Sequence, residues 1–335
     1  MPAPPPRPQF DFLLLPEFSF IGFAALLEPL RIANRYRPGA YQWRLLSMDG
    51  QPVAASNGIA LHPQARLGDG PVGTVLFAIA SFHPLRHYTA ALGRHLRLAA
   101  QQGCGLGAID TGCYVLAEAG LLQGASITLH WEAIAAFRER YPGIAVQDQA
   151  RYTLAPGRMT SAGGTASVDL MLAVIAQDLG REVALQVSEQ LVSGWVRERG
   201  EHQRLQVSTR YRVHNAKVVR AISLMEQNLE DPLTSEVLAR PMGITRRQLE
   251  RLFQEHMDCS PVGFYLRLRL ERARYLLRQS SMSIIDIGLA CGFASASAFS
   301  RAYRRAYGVA PRDDREETGL QRATAPAATP WPGAS

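Results

Sequence analysis

The residues with most chemistry to offer stand in two parts of the chain. In the first, Asp110-Thr111-Gly112-Cys113 is followed by His130-Trp131-Glu132. Cysteine with histidine is the pair from which a thiolate nucleophile is made. Two carboxylates with an indole would instead hold a cation, through charge and cation–π attraction. Each residue also has a plainer role. Asp110 could cap a helix, where a carboxylate meets orphan N–H groups and the positive end of the dipole. Cys113 and Trp131 could be core, and His130 a structural hydrogen-bonding group. The loop Ser161 to Thr165 could present backbone N–H groups to a carboxylate. In the second part, Arg247, Glu250 and Arg251 share one face of an expected helix, with Arg246 beside them. Farther on, Ala296, Ser297, Ser300 and Arg301 share another, with Arg304 one turn later. Arginine can grip a guanine edge with two hydrogen bonds, and glutamate can accept from cytosine. The second face is poor in hydrogen-bonding groups, so Arg301 is expected to carry most of its polar readout. The plainer role for any one of these arginines is a phosphate contact or a solvated side chain.

Charge separates the two parts. The 335-residue chain has a formal net charge of +7. Between Arg240 and Arg312 there are 13 Arg, no Lys and five acidic residues, a balance of +8, so the remainder of the chain balances to −1. A basic excess confined to one segment is the footprint of a nucleic-acid-binding domain. The chain is long enough for two or three domains. Its four cysteines, Cys104, Cys113, Cys259 and Cys291, make no C-x-x-C pair and stand at no zinc spacing to a histidine. No metal site and no cofactor are therefore expected, and the thiols read as reduced and mostly buried, as in a cytoplasmic protein. No apolar run reaches the ~18 residues needed to span a bilayer; Phe18 to Leu30 is interrupted by Glu28. Residues 1–9 lack the apolar core of a signal peptide and read as a disordered arm.

The elements that must position these residues follow from periodicity. Apolar strands are expected at Phe10–Leu15, Trp43–Ser47, Val75–Ile79 and Gly105–Ile109, and helices at Phe23–Asn34, Leu92–Gln101 and Cys113–Leu121. Asp110-Thr111-Gly112 is the tight turn between strand and helix. Strands alternating with helices predict a mostly parallel sheet covered on both faces. The polar segment 197–212 reads as a linker between this domain, 10–196, and a helical one, 213–315, followed by a disordered tail, 316–335.

In the helical domain, Val219, Ile222, Met225 and Leu229 predict a helix that Asp231-Pro232 stops. A short helix through Leu238 is followed by a turn at Gly243. Thr245 and Gln248 then form a capping box for the next helix, and Ser260-Pro261 opens a long one lined by Leu266, Leu270, Ala273 and Leu277. The pattern recurs. Leu238 matches Ile287 and Gly243 matches Gly292, 49 residues apart; Leu249 matches Phe299, Arg251 matches Arg301, Phe253 matches Tyr303 and Pro261 matches Pro311, 50 apart. Two such copies are two helix-turn-helix units on a linking helix. Pro241 falls in the last turn of the first unit's leading helix, which it is expected to shorten. Asp258 stands where a left-handed residue is needed, a conformation that aspartate tolerates.

The run from Ile284 to Phe293, with Phe299-Ser300-Arg301-Ala302-Tyr303-Arg304 and Gly308-Val309-Ala310-Pro311, resembles the signature of AraC/XylS transcription regulators over about Lys217 to Arg315. The segment Ala108 to Ala117 resembles the nucleophile elbow of the class I glutamine amidotransferase-like (PfpI-type) fold. There a catalytic cysteine occupies the turn; here the matching residue is Asp110, and Cys113 lies inside the helix. Glu28 to Asn34, Thr128 to Glu132 and Ser161 to Leu170 extend the resemblance to the GlxA-type subgroup, which joins such a domain to a DNA-binding end. It implies a flavodoxin-like α/β N-terminal domain and an all-α double helix-turn-helix domain. The Asp-Thr-Gly elbow further resembles members that sense arginine, carnitine or glycine betaine. The implied function is a homodimeric activator that binds promoter DNA, works with RNA polymerase and responds to a small cationic or zwitterionic inducer. Asp110, Thr111, His130, Trp131 and Glu132 would form its ligand site. The rival is a Cys-dependent hydrolase or amidotransferase tethered to DNA. A carboxylate at the elbow speaks against it, because it cannot form the thioester that such chemistry uses, and no catalytic residue is assigned.

Overall fold

The computed structural model describes residues 9–192, 207–279 and 282–315. Its contacts divide the chain into two units, residues 1–204 and 205–335.

In the first unit, strands β1 (Gln9–Leu14), β2 (Gln42–Ser47), β3 (Ala65–Arg66), β4 (Val75–Ala80), β5 (Gly105–Asp110), β6 (Tyr152–Ala155) and β7 (Arg158–Ser161) form one sheet in the order β6-β7-β5-β4-β1-β2-β3. Only β6 and β7 pair antiparallel. The helices are α1 (Phe20–Tyr36), α2 (Ala90–Gln101), α3 (Gly112–Glu118), α4 (Ile134–Arg140), α5 (Ala166–Leu179) and α6 (Arg181–Gln190). Side chains alternate between two cores. Phe10, Phe12, Leu14, Val75, Phe77 and Ile79 meet α1, α5 and α6 on one face. Leu13, Leu15, Leu76, Ala78 and Ala80 meet α2, α3 and α4 on the other. Burial on both faces is why β4 reads as an unbroken apolar run; β1 is interrupted by Asp11, which is buried and paired with Arg44 at 2.7 Å. Each fully buried Phe or Leu contributes roughly 1.5–3 kcal/mol.

The strands and helices expected here are present, with ends moved by a few residues. The helix expected to reach Leu121 stops at Glu118, because Gly120, at φ 74, turns the chain. The expected arm gives Gln9 to β1; residues 1–8 lie outside the described ones. From β1 the chain runs outward to β3, then returns to β4 on β1's other side. In open α/β sheets, ligands sit beyond the carboxyl ends of the strands at such a reversal.

In the second unit, α7 (Val207–Tyr211) lies within the segment expected to be linker. It is folded onto its neighbours: Tyr211 meets Phe264 edge-on at 5.2 Å, and Arg210 pairs with Glu226 at 2.8 Å. The linker's earlier residues, 197–206, the last four residues expected in the first domain, 193–196, and the tail 316–335 lie outside the described residues. Helix α8 (Ala216–Gln227) stops before Asp231-Pro232, at Asn228. There the Asn228 side chain donates to the Leu224 carbonyl at 2.8 Å, and its own carbonyl accepts from the Tyr265 hydroxyl. The first helix-turn-helix unit is α9 (Ser235–Ala239) and α10 (Arg246–Met257), and the second is α12 (Ile284–Ala290) and α13 (Ala296–Tyr307). The linking helix α11 (Pro261–Gln279) lies between them. Pro241 does shorten α9, whose last turn becomes a 3-10 helix, Arg240–Met242, ending at Gly243 in the left-handed region. Asp258 is left-handed at φ 50.

Helix α11 buries Phe264, Tyr265, Leu268, Leu270, Ala273, Leu276 and Leu277; the expected Leu266 is only half-buried. Tyr265 fixes the end of α8. One turn later Arg269 donates to the carbonyls of Cys291 (2.7 Å) and Gly292 (2.5 Å) and covers the Phe293 ring at 4.3 Å. One helix thus locks both helix-turn-helix units. Among the described residues no helix is long and apolar enough to cross a membrane.

Candidate DNA-reading surface and ligand site

The recognition helices are built alike. Thr245 caps α10 by accepting from the Gln248 N–H, with the Gln248 side chain returning the bond, and Ser295 caps α13 by accepting from the Ala298 N–H. Their leading helices are capped the same way, α9 by Thr234 and α12 by Ser283. Leu249 and Phe253 bury one side of α10, and Phe299 and Tyr303 bury the same side of α13. Residues two to three positions away therefore point outward. Arg247, Arg251, Arg301 and Arg304 are exposed, and none makes an ion pair among the described residues. Ser297 is exposed beside them, and Ala296 and Ser300 are half-buried.

Arg246 and Glu250 are less free. Nε of Arg246 donates to Glu250 at 2.8 Å, and Nη1 donates to Glu236 of α9 at 3.1 Å. Arg251 also borders a surface hollow of about 340 Å3 with Asn215, Lys217 and Gln248, so α8 continues the basic surface.

Part of the basic excess is structural. Arg274 (3.1 Å) and Arg278 (2.6 Å) pair with buried Asp314, which also accepts from the Tyr303 hydroxyl at 2.5 Å. The count of charge alone could not separate these arginines, or Arg269, from those facing outward.

In the first unit the elbow is formed as expected. Asp110 ends β5 in the left-handed region at φ 56, a strain that non-glycine residues keep chiefly at functional sites. Gly112 makes the turn possible: a Cβ there would stand 2.3 Å from the Ala78 carbonyl oxygen. Burial pushes the Asp110 carboxyl up to about 7, against a hydrogen bond from the Ser81 side chain, and the nearby charge of Glu132 raises it further. Asp110 does not cap α3; Thr111 holds that position, without a side-chain cap bond. Thr111, expected to face a ligand, is buried and donates its hydroxyl to the Ser81 carbonyl, so it ties the elbow to the turn after β4.

The His130 N–H donates to the Asp110 carbonyl at 3.3 Å, which brings 130–132 to the elbow. Its imidazole lies against Trp131, ring centroids 5.5 Å apart, with Nδ1 3.8 Å from Glu132. Burial lowers its pKa. Trp131 is half-buried against the second core. Cys113 is fully buried, with Sγ 3.4 Å from the Thr128 carbonyl, and burial drives its thiol far above the usual range. In the loop after β7, the Gly163 N–H is taken by Ser161 Oγ at 3.2 Å and the Ala162 N–H by the Arg151 carbonyl at 2.9 Å. Neither is open to a ligand. Ser81 was not anticipated, and the loop holding Gly163 was singled out for its N–H groups but not for its packing against Asp110; only the three-dimensional register reveals both contacts.

A family described as a helix-turn-helix domain matches residues 238–317. The chain is 53% identical over 326 residues to the HTH-type transcriptional regulator CdhR of Pseudomonas aeruginosa, covering 97% of this chain and 96% of that protein. To the HTH-type transcriptional regulator GlxA of Rhizobium meliloti it is 35% identical, covering 93% and 96%. A solved AraC family transcriptional regulator from Pseudomonas putida superposes with a TM-score of 0.51 at 29% identity, over 56% of this chain and all of that one. The chain belongs to the AraC family of DNA-binding transcription regulators, in its GlxA-type branch.

Proposed function

We propose that this regulator is an activator switched by a small cationic or zwitterionic metabolite held at the elbow of its first unit. The arginine, carnitine and betaine class is the one that the Asp-Thr-Gly elbow suggests. The observation that carries the reading is Asp110 itself, a half-buried carboxyl on a strained turn at the carboxyl end of a central strand. A cation brought beside it would displace its proton and keep the charge that burial opposes. Trp131 and Glu132 add a ring face and a second carboxylate, and His130 positions them. Thr111 acts through Ser81 rather than on the ligand.

The unit is not an enzyme on this reading. The elbow holds no thiol, and the Cys113 thiol is packed inside a helix and far from ionising. On DNA, Arg247, Arg251 and Arg301 read base edges, with Glu250 beside them once Arg246 yields it to the groove. Ala296, Ser297 and Ser300 allow close approach, and Arg304 meets phosphate. The protein acts as a cytoplasmic homodimer and engages RNA polymerase at the promoter. Ligand must favour one arrangement of the units over another to regulate at all.

A thermal-shift titration of the full chain with L-arginine, L-carnitine and glycine betaine tests the reading. A ligand at 100 times its Kd should stabilise the protein by about 2.7 kcal/mol. No shift with any of them, or a shift that survives in Asp110→Asn, contradicts it.

A further inference from the structure

Glu17 lies in the turn that leaves β1. It carries a side chain, yet its backbone is left-handed at φ 62, and its N–H is held by the Ala54 carbonyl at 2.9 Å. Its carboxyl oxygen Oε2 is buried and has no hydrogen-bond partner. Buried acceptors are nearly always satisfied, so an orphan calls for a reason. Two other side-chain atoms among the described residues share that state, Thr128 Oγ1 and Arg210 Nε. Arg210 is already paired with Glu226, and neither residue stands on a left-handed backbone.

The location supplies the reason. Leu14 of β1 pairs with Ile79 of β4, and Ile79 pairs with Ile109 of β5. The turns that follow these three strands are therefore neighbours, about 5 Å apart per strand step. Each carries a non-glycine residue at positive φ: Glu17 at 62, His83 at 47 and Asp110 at 56. Strain of this kind collects at ligand sites, and β1 and β4 flank the point where the strand order reverses. The turn Pro84–His87, which packs against α3, places the His87 imidazole within electrostatic reach of Glu17.

We propose that Glu17 is a second ligand-contacting carboxyl group, across the β4 turn from Asp110, and that it accepts a hydrogen bond from an N–H or O–H of the inducer. The proposal rests on the reading that a metabolite binds at the elbow, and it narrows the chemistry. Asp110 attracts any cation. An orphan acceptor is satisfied only by a donor hydrogen, which a quaternary ammonium lacks. The favoured ligands therefore carry a positive group and, some distance from it, an ammonium, guanidinium or hydroxyl.

The test is a calorimetric titration of the full chain with L-arginine, L-carnitine, γ-butyrobetaine and glycine betaine. The last two lack a donor hydrogen. Wild-type protein is expected to bind at least one donor-bearing probe more tightly than either of these. Glu17→Gln should weaken that probe about tenfold, the loss expected for one hydrogen bond to a charged group, and leave glycine betaine unchanged. Without ligand, Glu17→Gln should melt no lower than wild type, since the lost oxygen had no partner. Glu17→Gly, which suits the left-handed backbone, should melt higher and lose the same discrimination. Binding of the donor-bearing probe unchanged in Glu17→Gln, or a ligand-free melting point lowered in both variants, overturns the inference. If Asp110→Asn abolishes binding while Glu17→Gln does not, the elbow reading stands and only the role of Glu17 falls. If wild type binds none of the probes, both fall.

Discussion

Gly163 lies directly against Asp110: a β-carbon at 163 would stand 2.9 Å from the Asp110 Cβ and 3.3 Å from its carboxyl carbon. Its φ of 83 adds backbone strain to any substitution. Gly163→Ala should therefore destabilise the protein by about 1–3 kcal/mol and blunt the inducer response. Gly164 is the control, since its φ is 53 and nothing lies within 4 Å of an added Cβ. Gly164→Ala should cost only the backbone strain, about 1 kcal/mol. Equal denaturation midpoints for the two variants would show that the approach to Asp110 is immaterial.

The raised pKa of Asp110 gives a pH dependence with a definite sign. An unfolded aspartate titrates near 4, whereas Asp110 in the folded protein is pushed up to about 7. Between these values the folded state holds a proton that the unfolded state has released. This group's contribution to stability therefore falls as pH rises through that window and levels off above it. Asp110→Asn should flatten that slope. Glycine betaine keeps its positive charge throughout, so its affinity should rise as pH climbs toward 7, by at most about tenfold per unit. His130, which burial keeps neutral longer on acidification, and Glu132 face the same group. A Kd that does not change between about pH 5.5 and 8 would contradict a ligand beside Asp110.

Much of this arrangement was legible in the sequence where the cause is local. Thr245 with Gln248 names a helix start, Gly243 and Gly292 name the turns, and the Arg251–Arg301 spacing follows from the repeat. The apolar strands from Phe10 and from Val75, alternating with helices, give a mostly parallel sheet covered on both faces. What stayed hidden depends on contacts between distant segments. The Thr111 hydroxyl turns to Ser81 and not to the ligand side, because β4 and β5 are neighbours. Arg274 and Arg278 look like DNA-binding charge until Asp314 is folded back onto them. The segment 207–211 looks like linker because its partners, Phe264 and Glu226, are far along the chain.

Arg301 and Arg304 of α13 should behave differently on DNA. Arg301→Ala should relax base preference in one half-site by ~1–3 kcal/mol. Arg304→Ala should weaken all sequences alike and reduce the steepness of log affinity against log salt by about 0.9, the share of one phosphate. The two units should read major-groove segments about 34 Å apart. Competition binding against single-base operator variants at several salt concentrations separates these outcomes. A uniform loss for Arg301→Ala would make it a phosphate contact.

Asp314 holds the second helix-turn-helix unit together. Burial alone would raise its pKa, but hydrogen bonds from Tyr303 and Arg278 outweigh that and hold it below the usual range. Its stabilising share is therefore present near neutrality and lost as pH falls below about 4. Asp314→Ala leaves the buried Tyr303 hydroxyl without this partner and should cost about 1–3 kcal/mol. Urea denaturation at neutral pH measures it, and a variant as stable as wild type would show that the cluster is incidental.

The proposed function requires that the elbow carboxyl sense a ligand and do no thiol chemistry. A reporter-gene dose response with L-arginine, L-carnitine and glycine betaine, in cells expressing wild type, Asp110→Ala or Cys113→Ser at equal levels, tests it most directly. Loss of a charge-assisted hydrogen bond at Asp110 costs ~1.5–3 kcal/mol, roughly 10- to 150-fold in affinity. Asp110→Ala should therefore lose the response while still binding operator DNA, and Cys113→Ser should keep it. A folded Cys113→Ser that no longer responds, beside an Asp110→Ala that does, would contradict the account and return the elbow to an enzyme.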